Sequence, residues 1–394
     1  MHEADVAIVG GGVAGSLAAL MLGRAGYRVC LVDPAERHGP DFRCEKLEHT
    51  HLRALSRAGV LGDVLPGTLR YEDIWIGRGG RLVEHRHAVE YGIDYASLVN
   101  RLRGLIPQHV SILADKVIED EQDPQTLHRR LRLASGATID ARLVVLAAGA
   151  NADTLTTFGY VRRMVRPCHS ISIGFDLIPS NSRLKDLGAL TWFGEQPQDR
   201  IAYLTIFPLP DRLRANLFVY RSTNDPWLRQ FRDRPAATLI DSLPGFSNAI
   251  GSLEIASPMR FRPVDLIDTD VGAQSAVVVV GDAFSTACPA SGTGASKAMV
   301  DVERLCNAYI PSWLETGTMG ARQLSAFYRD PEKRASDRHS RKTSLFARRI
   351  ALEEGGLWSA YRWMRGAASR SRHFLPHPRE AVEPVAATRH SAAH

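Results

Sequence analysis

The hydrophobic positions near the start of the chain form two short apolar runs on either side of a longer stretch rich in Ala and Leu. Residues 5–9 and 28–32 predict buried strands, and residues 13–25 predict the helix between them. These elements make a βαβ unit, whose two strands are expected to lie parallel in one sheet. The pattern therefore predicts an α/β fold.

Two further kinds of strand are predicted along the chain. Apolar runs typical of a buried sheet occur at 110–113, 131–133, 143–147 and 276–280. Between them, alternating hydrophobic and polar residues predict antiparallel strands at 170–177, 190–193, 201–207 and 215–220. The middle of the chain is therefore expected to form a separate sheet that covers a substrate cavity.

The C-terminal region has a different composition. After Leu324 the pattern becomes helical and basic, and from Pro376 the apolar periodicity is lost, so residues 376–394 are expected to form a disordered tail. Residues 329–372 combine an excess of Lys and Arg with interleaved apolar residues. Such a stretch could lie on an anionic membrane surface, but packing against the body of the protein is the favoured interpretation.

Composition narrows the class of protein. The chain has 394 residues, 44% hydrophobic residues and a formal net charge of +6, which suits a globular protein of about two domains. Five cysteines, without metal-ligand spacing, favour reduced thiols and predict no metal site. No basic segment precedes the first apolar run and no stretch could span a membrane, so a cytoplasmic protein is expected. Basic charge without a motif predicts no nucleic-acid partner.

The loop after the first strand fits the pattern GxGxxG from Gly10 to Gly15. Gly10 permits a tight turn, Gly12 lets the backbone approach a pyrophosphate, and Gly15 allows the helix to pack closely on the strand. The helix N-terminus at Val13 and Ala14 offers free N–H groups and partial positive charge. Strand, glycines and helix together predict a dinucleotide site.

An acidic residue, Asp33, follows the second strand. Its carboxylate is expected to accept hydrogen bonds from an adenosine ribose, and an acid at this position argues against a 2′-phosphate on the bound nucleotide. The fingerprint by itself does not separate FAD from NAD.

A second segment favours a flavin. The strand at 276–280 runs into Gly281 and Asp282, and a turn from Pro289 to Gly294 follows. Gly-Asp places a carboxylate at the carboxyl edge of the sheet, where ligands bind in open α/β folds. The turn then exposes N–H groups at the start of a helix, and such a terminus favours the negative charge of a reduced flavin.

In the order and spacing of these features, most of residues 4–310 resemble the FAD-dependent monooxygenase superfamily typified by p-hydroxybenzoate hydroxylase. The resemblance implies a Rossmann-like FAD-binding fold with an inserted antiparallel substrate lobe and a C-terminal helical region. It implies that the following residues contact FAD: Gly10, Gly12, Val13, Ala14, Gly15, Asp33, Arg43, Gly149, Asp282, Pro289, Gly292, Thr293 and Gly294. Asp282 is expected at the ribityl or pyrophosphate part, and the turn from Pro289 to Gly294 beside the isoalloxazine.

The resemblance also divides the chain into segments. FAD-binding parts are expected at 1–70, 96–160 and 266–325, substrate-lobe strands at 71–95 and 161–265, basic helices at 326–375 and the tail at 376–394.

Three positions depart from the family pattern. Tyr95 stands where the family has the arginine of an R-x-x-L-x-x-x-L helix, and Arg101 is offset from that place. Gly149-Ala150-Asn151 replaces an Asp-Gly motif, and Ser285 replaces a common histidine. These changes indicate a divergent branch of the family. They give the prediction of reduction by NADH or NADPH less support than the prediction of FAD binding.

Members of that superfamily use NADH or NADPH and O2 to insert one oxygen atom into a small organic substrate. We therefore predict hydroxylation or epoxidation of a small, aromatic or apolar molecule, with no catalytic acid or base assigned. Five aromatic residues of the middle sheet could wall such a ligand, although sheet core is the favoured interpretation for each of them: Trp192, Tyr203, Phe207, Phe218 and Tyr220.

Other functions remain open on the same fold. They are a reductase or desaturase, a halogenase, which the absence of W-x-W-x-I-P disfavours, and a non-catalytic FAD-binding protein. The sequence does not indicate the oligomeric state.

Overall fold

The computed structural model describes residues 1–43, 45–178, 188–251, 253–272, 274–362 and 364. The expected tail at 376–394 and the last part of the basic region lie outside the described residues. Within them the chain forms two large sheets, each with helices packed against it, and a long C-terminal helix.

The strands, in chain order, are β1 (His2–Val9), β2 (Val29–Val32), β3 (Lys46–Leu47), β4 (Leu69–Arg78), β5 (Arg81–Gly92), β6 (Ser111–Leu113), β7 (Val117–Gln122), β8 (Arg129–Leu133), β9 (Thr138–Leu146), β10 (Val161–Ile178), β11 (Ala189–Phe193), β12 (Ile201–Pro208), β13 (Leu213–Val219), β14 (Glu254–Ile255), β15 (Arg260–Asp270) and β16 (Val277–Val279).

The α-helices are α1 (Val13–Arg24), α2 (His49–Arg57), α3 (Leu61–Val64), α4 (Tyr95–Gly104), α5 (Ala152–Thr157), α6 (Pro226–Asp233), α7 (Pro235–Ser242), α8 (Pro244–Ile250), α9 (Gly294–Arg304), α10 (Ile310–Thr316), α11 (Ala321–Tyr328) and α12 (Pro331–Leu352).

The first sheet has seven strands in the order β6-β2-β1-β9-β8-β7, with β16 beside β9. Strands β6, β2, β1, β9 and β16 are parallel, whereas β7, β8 and β9 are joined antiparallel. The parallel strands read as apolar runs because both faces are buried, one under α1, α4 and α9 and the other around Phe158 and Tyr160. This is the predicted Rossmann-like sheet.

The second sheet has nine strands in the order β14-β10-β13-β12-β11-β4-β5-β3, with β15 beside β10. Its pairs are antiparallel except that β11 and β4 run parallel. One face is covered by α6, α7 and α8 through a core that includes Phe175, Trp192 and Phe231. The other face carries polar and aromatic residues, as the alternating sequence predicts, and is directed toward the first sheet.

A long ribbon joins the two parts. Strands β10 and β15 pair from Val161–Asp270 to Gly174–Arg260, with register shifts around Arg166. Strand β15 therefore runs across the boundary expected at 265/266, because one continuous strand serves both halves of the molecule.

Helix α12 lies near the end of the described part of the chain. The side chain of Asp330 caps it by accepting a hydrogen bond from the backbone N–H of Lys333 (2.9 Å). The helix packs on α9, so this part of the basic C-terminal region lies against the body of the protein. Among the described residues, none of the helices is long and apolar enough to cross a membrane.

Candidate active site

A cavity of about 1410 Å³ lies between the two sheets. It is lined at one end by the glycine loop after β1 and at the other by the inner face of the second sheet. A pocket for one small molecule rarely exceeds about 1,000 Å³, so this cavity has room for a dinucleotide and a second ligand. It lies at the carboxyl ends of the parallel strands, where open α/β sheets bind ligands.

The glycine loop has the geometry that its sequence predicts. Gly10 has a φ of +100°, and a Cβ there would lie 2.6 Å from the carbonyl oxygen of Ala147. A Cβ on Gly15 would overlap the carbonyl oxygen of Gly10, so this glycine allows α1 to pack on β1. Gly12 differs, because a Cβ there would meet only the hydroxyl of Tyr95, at 3.3 Å. Gly12 thus opens the backbone toward the cavity.

Asp33 lines the cavity immediately after β2. Its carboxylate accepts hydrogen bonds from the backbone N–H groups of Gly11 (2.6 Å) and Ala35 (3.0 Å). It also forms an ion pair with Arg103 (3.2 Å). The acid therefore ties the two loops that follow β1 and β2.

Arg103 is a residue that the sequence did not single out. It is buried at the end of α4 and donates two hydrogen bonds to the carbonyl of Gly11 (2.6 and 3.1 Å) and one to Glu36 (2.9 Å). It lies eight residues after Tyr95, so helical periodicity places both side chains on the face of α4 that meets the glycine loop. Arg101 instead donates to the carbonyl of Asp63, so Arg103, not Arg101, is the arginine of this helix that contacts the loop.

Tyr95 occupies the position of the family arginine and reaches the start of α1. Its hydroxyl accepts a hydrogen bond from the backbone N–H of Val13 (3.4 Å), and its ring lies edge-on to His38. Burial raises the pKa of Tyr95 above its ordinary value, so the hydroxyl stays protonated. A neutral hydroxyl thus lies where the family carries a cation.

Arg43, Gly149 and Asp282 all line the cavity. The Arg43 guanidinium forms an ion pair with Asp41 (2.5 Å) and lies 5.5 Å from the centre of the Tyr95 ring. Burial alone would lower the pKa of Arg43, but Tyr95, Asp41 and Asp282 raise it above its ordinary value. Arg43 therefore remains a cation near the Asp282 carboxylate.

The turn before α9 contributes backbone to the cavity. Pro289, Gly292 and Gly294 line it, and Gly292 has a φ of +67° that favours glycine. Thr293 does not line the cavity, since its hydroxyl bonds Ser291 (2.7 Å) and donates to Ser340 of α12 (2.8 Å). Of the other residues expected to contact FAD, Gly10, Gly12, Val13 and Ala14 line the cavity and Gly15 does not.

A buried ion cluster supports the turn that carries Asp282. Asp301 accepts a hydrogen bond from the backbone N–H of Gly281 (3.0 Å) and pairs with Lys333 of α12 (3.0 Å). Lys297 donates to the carbonyl of Gly281 (3.3 Å). Burial alone would raise the pKa of Asp301, but Lys333 and Lys297 lower it. The C-terminal helix is therefore bonded to the base of this turn.

Neighbouring strands of the second sheet place three aromatic residues side by side. Phe193 of β11 pairs with Tyr203 of β12, which pairs with Phe218 of β13. The ring centres are 5.7 and 4.8 Å apart, and all three residues line the cavity together with Phe207. The other two candidates are core: Trp192 packs on the helical side of the sheet, and Tyr220 does not line the cavity.

A charged cluster on the cavity wall was not predicted from the sequence. The Lys46 ammonium contacts Glu48 (2.6 Å) and Glu90 (3.3 Å), and Tyr71 donates to Glu90 (2.9 Å). Burial alone would lower the pKa of Lys46, but the two carboxylates raise it. Lys46 is therefore a fixed cation on the cavity wall.

His51 is fully buried beside this cluster. Its Nδ1 accepts a hydrogen bond from the backbone N–H of Glu48 (3.3 Å), which closes a capping box at the start of α2. Burial lowers its pKa to about 4, so the imidazole is neutral near pH 7 and carries its proton on Nε2.

Helix α12 supplies an apolar wall to the same cavity. The residues that line it from this helix lie at helical spacing: Thr343, Phe346, Ala347, Ile350 and Ala351. Part of the basic C-terminal region thus forms the site, with its apolar side toward the cavity.

Comparisons with known proteins agree with this geometry. The chain matches the family model described as the FAD binding domain over residues 3–317. It is similar to the crystal structure of p-nitrophenol 4-monooxygenase PnpA from Pseudomonas putida DLL-E4, with a TM-score of 0.77 and 18% identity over 94% of this chain and 95% of that one. It is also similar to P. aeruginosa PqsL in complex with 2-aminobenzoylacetate, with a TM-score of 0.68 and 18% identity over 93% of this chain and 100% of that one.

A curated relative, Monooxygenase 1 from Arabidopsis thaliana, is 28% identical over 161 residues. That match spans 38% of this chain and only 39% of the relative's length. The solved structures, at 18% identity, establish the fold, and the predicted Rossmann-like architecture is confirmed. Because the family model covers residues 3–317 of 394, the chain belongs to the FAD binding domain family, which confirms its resemblance to the FAD-dependent monooxygenases.

Proposed function

We propose that this protein is an FAD-dependent monooxygenase that uses NADH or NADPH and O2 to hydroxylate or epoxidise a small, aromatic or apolar substrate. The observation that carries the proposal is that one continuous cavity runs from the glycine loop to the aromatic residues of the second sheet. A cofactor and a substrate bound in one cavity can react directly with each other.

The cofactor end fits FAD in shape and charge. Gly12 leaves the backbone open beside the N–H of Val13, which suits a pyrophosphate at the start of α1. Three charged residues line this end of the cavity. In the proposed complex Asp33 would accept hydrogen bonds from the adenosine ribose, Arg43 would pair with the anionic groups of the cofactor, and Asp282 would accept hydrogen bonds from the hydroxyl groups of the ribityl chain. When bound, FAD would supply the electron transfer and the oxygen chemistry.

The backbone turn from Pro289 to Gly294 is the proposed wall beside the isoalloxazine. Its glycines allow close approach of a flat ring, and the N-terminus of α9 favours negative charge there. Gly149 lies on the same cavity and is proposed as a further contact.

The substrate end is proposed to bind an aromatic or apolar molecule. Phe193, Tyr203 and Phe218 offer ring faces, and Ala347 and Ile350 of α12 add apolar surface to the same cavity. Burial raises the pKa of Tyr203, so its hydroxyl is a neutral hydrogen-bond donor for a substrate oxygen. Two similar proteins are linked to aromatic molecules, because one is p-nitrophenol 4-monooxygenase and the other, PqsL, forms a complex with 2-aminobenzoylacetate. This supports the proposed substrate class.

The fold alone does not choose among flavin reactions, because a brominase, Bmp2, and a Diels–Alderase, PyrE3, share it. The deciding experiment has three steps: extraction of the pigment, anaerobic mixing with NADH or NADPH, and turnover of p-nitrophenol and 2-aminobenzoylacetate under ¹⁸O2. We expect the extracted pigment to be FAD, and we expect NADH or NADPH to bleach its absorbance. Turnover under ¹⁸O2 should then place one labelled oxygen atom in a product. Bleaching without label in any product would favour a reductase, and FAD that neither nicotinamide bleaches would favour the non-catalytic alternative.

A cavity variant links this chemistry to the proposed substrate end. Ala347→Trp would fill the cavity beside α12, and we expect FAD content and reduction by nicotinamide to persist while substrate-dependent turnover falls by at least about tenfold. Ala335→Trp, on an exposed position of the same helix, is the matched control and should retain turnover. Full turnover in Ala347→Trp would contradict the placement of the substrate.

A further inference from the structure

Three metal-ligating side chains meet on the β4–β5 hairpin, and none of them lines the cavity. They are Asp73 on β4 and His85 and His87 on β5. Alternate residues of a strand point to the same face, so the His-x-His spacing directs both imidazoles to one side of the hairpin. In the register of the hairpin Asp73 pairs directly with His87.

One carboxylate oxygen lies at the centre of the group. The Oδ1 atom of Asp73 is 2.8 Å from Nε2 of His85 and 3.2 Å from Nδ1 of His87. All three ligand atoms lie within 4.8 Å of one another. Ligands about 2.1 Å from a tetrahedral ion are separated by about 3.4 Å, so small side-chain rotations would place all three around one ion.

The surrounding structure supports His85 and the backbone near Asp73. The His85 imidazole stacks on the half-buried indole of Trp75, with ring centres 4.2 Å apart and planes inclined by 9°. Trp75 packs against the core of the second sheet. Strand β4 pairs with β5 at Asp73 and with β11 from Ile74 onward, so the backbone next to Asp73 is held on both sides. Rigid support of this kind is what a metal site requires.

We propose that Asp73, His85 and His87 form a binding site for one divalent transition-metal ion, with Zn²⁺ as the best match. Two imidazoles and one carboxylate suit Zn²⁺, Cu²⁺ or Ni²⁺, whereas Ca²⁺ and Mg²⁺ prefer oxygen ligands alone. The His87 side chain is 69% exposed and the Asp73 side chain 49%. An ion can therefore reach the site from solvent, and its fourth coordination position is left for a water molecule. The site would join the two strands of the hairpin.

This metal site is independent of the proposed oxygenation. The same hairpin continues to Arg78 and Arg81, which line the cavity, so a bound ion would stabilise the strands that support one wall. The competing explanation is an ion-pair cluster in which protonated histidines share the Asp73 carboxylate, and that cluster would have no affinity for a metal.

The test uses full-length, tag-free flavoprotein freed of metal by a chelator. A titration with Zn²⁺ that is monitored by calorimetry should show one ion bound per chain. Bound Zn²⁺ should also raise the unfolding temperature of the protein. Cu²⁺ in the same protein should give an electron paramagnetic resonance spectrum with two nitrogen ligands. His87→Ala should retain one nitrogen and bind at least about tenfold more weakly, and Asp73→Asn should also bind more weakly.

His109→Ala removes an exposed histidine elsewhere and should bind the metals as the wild type does. FAD content should be equal in all variants, which separates this test from that of the proposed function. Failure of the wild type to bind Zn²⁺ and Cu²⁺, or the same affinity and two-nitrogen spectrum in His87→Ala, would overturn the proposal.

Discussion

The two ends of the cavity differ in what forms the wall, which is backbone at one end and side chains at the other. At the glycine loop the wall is backbone, and close contacts of Gly10 and Gly15 leave no space for a side chain. At the second sheet the wall consists of side chains, such as Phe218 and Lys46, whose backbone lies in ordinary extended conformation. The glycine-loop end can therefore hold a ligand that is common to many proteins. At the second-sheet end, the side chains that line the cavity can change with few constraints from the backbone.

The largest expected effect therefore lies at the backbone-built end. Gly12→Val would place a branched side chain in the cavity beside Val13, where we propose the pyrophosphate. FAD affinity should fall by at least about 100-fold, about 2.7 kcal/mol, and the purified protein should be colourless. Flavin absorbance measures the bound cofactor and circular dichroism measures the fold, so the two together would distinguish loss of FAD from unfolding.

A glycine outside the cavity provides the control. Gly104 is at the end of α4, and a Cβ there would meet no atom within 4 Å, so Gly104→Val should remain yellow. A yellow Gly12→Val protein, replete with FAD, would show that the pyrophosphate does not lie against this loop.

A smaller effect is expected at Arg103, which supports the same end through side-chain contacts. Arg103→Met would leave the Gly11 carbonyl and the Asp33 carboxylate without this donor, at a cost of about 1–3 kcal/mol. We expect weaker FAD binding by about tenfold, measured by flavin fluorescence. Arg101→Met on the same helix loses only the bond to Asp63, so equal losses in both variants would argue against a specific role for Arg103.

Near pH 7 the smallest of these effects belongs to His51 in the charged cluster, because its effect on stability appears only as the pH falls. Its pKa is 6.5 in the unfolded chain and about 4 in the folded one, so the unfolded chain binds an extra proton between these values. The stability from the neutral imidazole is complete above pH 6.5 and is lost as the pH falls toward 4, at up to about 1.4 kcal/mol per pH unit.

His51→Gln tests this, because glutamine can keep the capping box at the start of α2. The slope of unfolding free energy against pH, from urea denaturation between pH 4.5 and 7.5, should be smaller in His51→Gln than in the wild type. His109→Gln, an exposed histidine, should leave the slope unchanged. Identical slopes in all three proteins would mean that His51 titrates normally in the folded state.

The same contrast explains what the sequence could predict. Gly10, Gly12 and Asp33 lie within one βαβ unit, so their spacing alone reports the geometry. Asp282 is distant in sequence, but it follows a strand whose carboxyl end must lie at the same edge. Rules of this kind concern the backbone at the end of a strand, so they recur in many proteins.

The remaining site residues follow no such rule. Arg103 reaches Gly11 across 92 positions, and Lys46 meets Glu90 across 44. Nothing near Lys46 in the sequence indicates which carboxylate will face it. The register shift of β4 and β5 between Tyr71 and Asp73 also moves side chains from one face to the other, which simple alternation does not foresee.

The bond between Lys333 and Asp301 has a consequence for the order in which the molecule is made. Synthesis proceeds from the N-terminus, so the glycine loop leaves the ribosome more than 300 residues before α12. The nascent chain can begin to assemble its parallel sheet early, yet Ala347 and Ile350 are not in place until α12 has been made. A closed cavity for the cofactor can therefore form only after α12 has been made.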